Sequence, residues 1–295
     1  MYGFMLIAAF ALGCAAFFLR ARRAGLMGRT TPVLALLCAV LSPLCARVYL
    51  HVTKYASRGL GGFVLLSDRP YEYALCGAVL GVVLAGVLTA KCTRRRAGQV
   101  LDALAPAGLL ALAVARLGEV FSDFGWGQMV MEPAWQRFPF AVQDMYGQWH
   151  LAVFMLEAAA ALALAVFVWR LRRETAGDVF LTALLWLSMT QIFCESLRAE
   201  TIRWGFVRVK QVQCALFGLF VLAMWALRRR SVRGGLIALT VYLAGVGAVV
   251  FLEYALDKLP MPQAFDYAVM AAVLGVMGLA AMRAGGFGAA GEAKA

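Results

Sequence analysis

The sequence predicts an all-α, polytopic membrane protein: a helical bundle carrying a small segment on its outer face. Three observations point there. Of 295 residues, 63% are hydrophobic and only 15% charged, with a mean hydropathy of +0.79, which is more apolar than a soluble domain can cover with polar side chains. The apolar residues gather into nine runs, and about 20 residues of helix suffice to cross about 30 Å of hydrocarbon. Basic residues concentrate in every second connection between those runs, as the positive-inside rule requires of loops that alternate between two sides.

In chain order the candidate spans are 4–19, 32–50, 72–90, 100–118, 151–169, 178–197, 211–227, 235–253 and 267–283. Span one ends at Arg20, Arg22, Arg23 and Arg29, and span three at Lys91, Arg94, Arg95 and Arg96. Span five ends at Arg170, Arg172 and Arg173, and span seven at Arg228, Arg229, Arg230 and Arg233. Those loops are expected in the cytoplasm, which puts the N-terminus outside and, after nine spans, the C-terminus inside. Asp68, Glu72, Asp123, Glu132, Asp144, Glu200, Asp257 and Asp266 fall in the opposite loops. The net charge of +12 is therefore loop-borne, which argues against nucleic acid as a partner. No basic stretch precedes the first run, so it is expected to remain as a span rather than be cleaved as a signal peptide. The seven cysteines, at 14, 38, 45, 76, 92, 194 and 214, have no CxxC spacing. They are expected to be free, and neither metal nor cofactor is expected.

Between spans four and five lies a long outer segment, 119–150, with Phe121, Phe124, Trp126, Trp135, Phe138, Phe140, Tyr146 and Trp149 set among charged residues. Aromatics with polar partners favour the head-group layer, so a small cap on the membrane surface is expected. A second outer loop carries Arg198, Arg203, Arg208 and Lys210. Four cations on that face point to anionic groups, with snorkelling as the alternative. Residues 229–284 read as two additional transmembrane helices appended to the rest, with only Glu253, Tyr254 and Asp257 interrupting them; 285–295 reads as a disordered cytoplasmic tail.

Chemistry enters at Arg116, inside the apolar run 103–118. A guanidinium keeps its charge there, so it must face a protein interior or a wet cavity and hold an anion. In a bilayer the plentiful anion is a phospholipid head group. A guanidinium neutralised by a neighbouring carboxylate, with no cavity beside it, would overturn that assignment.

The motifs around Arg116 resemble those of the bacterial prolipoprotein diacylglyceryl transferase family, collinearly from residue 2 to about 228. Tyr2-Gly3 with the basic exit Arg20 to Arg23, Cys45-Ala46-Arg47, and Gly77 to Gly81 resemble successive family positions. So do Asp102-x-x-Ala105-Pro106 followed by Arg116-x-Gly118, then Trp126-Gly127, Glu195-x-x-Arg198, and Gln211 opening span seven. The resemblance implies a domain of seven family-like spans over 1–228, with 119–150 as its head. It also implies a reaction: transfer of a diacylglyceryl group from phosphatidylglycerol to the lipobox cysteine of a prolipoprotein, giving a thioether and glycerol phosphate. Phosphatidylglycerol, lipobox peptides and membrane lipids are the implied partners, and the bacterial plasma membrane the implied location.

On that resemblance Arg116, Arg198 and Arg47 are the candidates for holding lipid phosphate, through the bidentate fork of a guanidinium. Glu195, three residues from Arg198 and on the same helix face, is expected to orient it; a plain ion pair is the alternative. Glu119, Glu195, Tyr2 and His150 are the candidate catalytic groups, with Gly118, Gly127, Gln211 and Gly77 supporting. The family's span-three His falls at Cys76, an Asn at Glu119, an Arg at Gln191 and a Tyr at Leu187, and its Pro-Asp after Arg198 is replaced around Glu200-Thr201. Those replacements leave open a catalytically impaired relative that binds anionic lipid or precursors, and, further off, a membrane transporter. Glu119 is the substitute base if partial burial raises its pKa.

Overall fold

The computed structural model describes residues 1–26, 28–55, 73–122, 125–172, 175–199, 201–229, 232–258 and 262–286. Asp68, Glu72, Asp123, Phe124, Arg173, Glu200, Arg230 and the tail from 287, all used above, lie outside them. Among the described residues there are nine helices long and apolar enough to cross a membrane. They are α1 (Tyr2–Arg23), α2 (Thr30–Tyr55), α3 (Leu75–Cys92), α4 (Ala97–Gly118), α5 (Val153–Arg170), α6 (Asp178–Leu197), α7 (Val209–Arg229), α8 (Val232–Lys258) and α9 (Gln263–Ala284). Each overlaps one predicted span. The fold is that of a polytopic helical membrane protein. Among the described residues, strands are confined to two short hairpins, β1 (Ala141–Gln143) with β2 (Trp149–Leu151) and β3 (Arg203–Trp204) with β4 (Val207–Arg208).

The chain forms two compact units, Met1–Phe180 and Leu181–Ala295, dividing within the first turn of α6. In the first unit α2 packs on α3, and α4 on both α1 and α5. Small residues make those contacts, because backbones in a membrane associate by close approach rather than by hydrophobic exclusion. Ala16, Ala21, Ala85, Ala90, Ala103 and Ala107 build the core around Phe17, Leu26 and Leu104. At Gly77 an added Cβ would lie 2.8 Å from Ala46 Cα, so the glycine admits α2. Larger apolar residues, such as Ile7, Leu36 and Leu162, stay exposed, as a lipid-facing surface demands.

Polar anchors tie the helix ends. Asp102 accepts hydrogen bonds from the backbone N–H of Gly177 (2.6 Å) and Phe180 (2.8 Å). It supplies from α4 the cap that the free amides at the start of α6 lack locally. The Asp of the Asp102–Pro106 string is accounted for by this cap. At the basic end of the unit, Arg20 donates to the Trp169 carbonyl at 2.9 Å.

In the second unit α8 and α9 form a hairpin that packs on α7. Gly218 admits the Tyr242 ring, whose hydroxyl donates to the Ala215 carbonyl at 2.8 Å. Trp186 of α6 lies against Gly278 and donates to Met282 Sδ at 3.0 Å. The two additional helices thus lie beside α6 and α7 within this unit. Their polar side chains show why.

Candidate active site

Arg116 occupies the last turn of α4 and is 7% exposed. Two carboxylates hold it. Glu119, in the 3-10 turn that continues α4, hydrogen-bonds through Oε1 to Nη1, and Glu157, from the second turn of α5, places Oε2 2.6 Å from Nε. Glu119 and Glu157 are 3% and 1% exposed. The cation therefore has internal counter-ions, where sequence reasoning expects an external phosphate. Two carboxylates to one guanidinium leave the formal charge of the trio negative, a costly state to bury.

The backbone explains how the trio closes. At Gly118 a Cβ would come within 2.6 Å of Met5 Cβ and 3.6 Å of Tyr2 Cδ2, so only glycine lets α1 approach. That approach brings the Tyr2 phenol within electrostatic range of Glu119 and Arg116. Gly125 adopts φ +86°, and a side chain there would strike the Glu119 carboxylate. Glu157 is the residue that sequence reasoning missed. A lone ionisable group in the apolar run 151–169 was a signal in itself.

The other head residues form a separate cluster. His150 lies in β2, three residues before α5 begins, rather than at the helix start. Its ring stacks on Trp126, centroids 5.4 Å apart, and Nε2 faces Asp144 Oδ2 at 3.3 Å. Asp144 Oδ1 accepts the backbone N–H of Tyr146 and Gln148, closing the β1–β2 turn. Burial pulls the Asp144 pKa upward, but the two amides and His150 outweigh it and hold the carboxyl below its usual range. The Gly127 N–H donates to the Leu151 carbonyl at 2.7 Å, adding the 127–130 strip to β2. Arg47 is buried on α2, with its guanidinium 5.7 Å from the Tyr73 ring centroid. Cys76 and Gln191, at the replaced family positions, are both buried.

In the second unit the basic loop after α6 meets carboxylates. Arg208 Nη1 donates to the carbonyls of Glu195 (2.7 Å) and Arg198 (2.6 Å), and its Nε donates to Glu253 Oε2 at 3.2 Å. Lys210 pairs with Glu195 at 2.9 Å, and Arg203 lies 3.9 Å from Asp257. Gln211 donates to Glu253 Oε1 at 2.6 Å and to the Ile192 carbonyl at 3.2 Å. Arg203, Arg208 and Lys210 therefore have acidic partners within the unit, two of those partners supplied by α8. Glu195, expected to orient Arg198, takes Lys210 as its ion-pair partner.

A family model described as prolipoprotein diacylglyceryl transferase matches residues 1–227. Among curated proteins, the chain is similar to the phosphatidylglycerol–prolipoprotein diacylglyceryl transferase of Bacillus cytotoxicus, 26% identical over 209 residues, or 68% of this chain and 77% of that one. The protein of the same name from Clostridium novyi is 26% identical over 181 residues, 60% and 70% of the two chains. That of Bacillus cereus is 27% identical over 209 residues, 68% and 77%. The match covers α1 to α7 and all the motif residues above, and it makes the chain an enzyme of the transferase class: it belongs to the prolipoprotein diacylglyceryl transferase family.

Proposed function

We propose that this protein moves the diacylglyceryl group of phosphatidylglycerol onto the lipobox cysteine thiol of prolipoproteins in the bacterial inner membrane. Its N-terminus would then face outside and its C-terminus the cytoplasm, as the loop charges imply. The thiol sulfur forms a C–S bond to the glyceryl carbon, and the C–O bond to phosphate breaks. The thiol gives up its proton and glycerol phosphate departs with the electron pair. Two demands follow: a proton acceptor for the thiol, and a cation for the charge that grows on the departing phosphate.

The observation that carries this reading is the buried Glu119–Arg116–Glu157 trio. While both carboxylates are ionised, the guanidinium is electrostatically spent. Transfer of the thiol proton to Glu119 removes one counter-charge from Arg116 at the step in which the phosphate gains one. Proton acceptance and phosphate stabilisation are then one coupled event, which answers the loss of the family His at Cys76. Glu157 holds the guanidinium in place throughout, and Tyr2 can donate its hydroxyl to an oxygen of the same assembly. Glu195 and Arg198 would serve as a second locus for the anion. The replacements at Cys76 and Gln191 favour one competing reading, a relative that binds anionic lipid or precursors without transfer.

The decisive experiment expresses this chain in bacteria depleted of their own transferase, and in parallel presents the purified protein with phosphatidylglycerol vesicles and a lipobox peptide. A thioether-linked diacylglyceryl peptide, seen by mass spectrometry, and restored lipoprotein maturation are expected. Peptide or lipid binding without any thioether would establish the competing reading.

A further inference from the structure

The family match ends at residue 227, yet the outer end of the motif helix α6 is held from beyond it. The last carbonyls of any helix lack intrahelical donors. Here those of Glu195 and Arg198 receive Arg208 Nη1, and that of Ser196 faces the Tyr267 hydroxyl of α9 at 3.5 Å. A cation suits that position, because the helix dipole presents partial negative charge there. Arg208 is only 4% exposed, so its own charge needs a buried partner, which α8 supplies in Glu253, also 4% exposed. The second oxygen of Glu253 takes Gln211 Nε2, and Gln211 donates in turn to the Ile192 carbonyl. One carboxylate thus fastens both the cap on α6 and the start of α7. Phe206 and Tyr254, edge to face at 5.7 Å, seal the same junction.

We propose that Glu253 is a positioning residue: the C-terminal hairpin acts through it to fix the outer end of α6, and with it Glu195 and Arg198. The proposal rests on the transfer reading only in so far as Glu195 and Arg198 serve catalysis; the mechanical part stands apart from it. In this chain the two extra helices are part of the working enzyme. Their acids and the basic loop are complementary, Glu253 to Arg208 and Asp257 to Arg203.

The test uses the full chain with Glu253→Gln, which keeps shape and removes charge, and Tyr242→Phe as the comparison. Tyr242 joins the same hairpin to α7 through the Ala215 carbonyl, away from the end of α6. Glu253→Gln should lower kcat roughly tenfold to a hundredfold with KM for phosphatidylglycerol nearly unchanged, the size seen when a residue supporting a ligand set is lost. Hydrogen exchange should quicken at residues 195–199 and not at 181–190. Tyr242→Phe should do neither. Equal losses in the two variants, or unchanged exchange at 195–199 in Glu253→Gln, would overturn the proposal. If the wild-type chain makes no thioether, the transfer reading falls, and the exchange measurement still decides whether Glu253 holds α6.

Discussion

Arg116 and Arg208 are both buried guanidiniums, 7% and 4% exposed, yet they are held in opposite ways. Arg208 is saturated by main-chain carbonyls of α6 with one carboxylate for balance. Arg116 is held by two side-chain carboxylates. A carbonyl cannot take up a proton and cannot move unless α6 unwinds, so most of what holds Arg208 is fixed in charge and place. A carboxylate can be neutralised, so the Arg116 arrangement has more than one charge state within the same framework. The difference separates a fastening from a site: of two embedded cations, the one held by side-chain carboxylates rather than by main-chain carbonyls is the one suited to serve a reaction that moves a proton.

Removing each cation breaks the comparison most sharply. Arg116→Ala should abolish transfer, a loss of at least a hundred- to thousandfold by analogy with deleting a charge-stabilising donor. The protein should still insert and accumulate, since the apolar spans and loop charges that direct insertion are unchanged. Normal lipidation of a precursor by that variant would take Arg116 out of the mechanism. Arg208→Ala should instead destabilise the fold, by about 3–5 kcal/mol, since it strands Glu253 as an uncompensated buried charge. Thermal unfolding in detergent measures this, and an Arg208→Ala protein as stable as wild type would erase the distinction.

The carboxylates come next. Glu119→Gln should slow transfer by roughly a hundredfold or more, the contribution typical of a positioned base, and by more than His150→Gln. The reverse ranking would move proton acceptance to the imidazole. Glu157→Gln should fall between them, because it loosens the guanidinium without removing the proton acceptor. Rates measured with peptide and phosphatidylglycerol vesicles settle the order.

The nine spans were legible because hydropathy and loop charge are local properties of the chain, and helix ends followed within a few residues. Arg116, Glu119 and Gly118 were legible because they lie within one turn of each other. Glu157 was not: 41 positions separate it from Arg116, and only the packing of α5 on α4 joins them. Glu253 stood out as an acid in a bland helix, but its partners Arg208 and Gln211 lie 45 and 42 positions away. Helical spacing offered Arg198 to Glu195 and was silent on Lys210, which reaches Glu195 from α7, because spacing identifies who can meet on one helix and not who arrives from the next. Asp102 misleads in the other direction. It stands in a motif and looks chemical, yet it caps α6.

The smallest expected effect belongs to the head hairpin, and pH isolates it. The Asp144 carboxyl sits below its reference value of 3.8 in the folded protein. A depressed carboxylate stabilises fully above its unfolded pKa and loses that contribution as pH falls through the folded value. The turn should therefore hold unchanged from neutrality down to about pH 4, and its amides at Tyr146 and Gln148 should lose exchange protection only below that. Asp144→Asn keeps an oxygen acceptor for both amides and removes the titrating charge. It should flatten this acid-side loss while altering transfer at neutral pH by no more than about twofold, as for a surface change. A large activity loss in Asp144→Asn would tie His150 and its hairpin to the Arg116 trio, and the separation between the head cluster and the buried site would no longer stand.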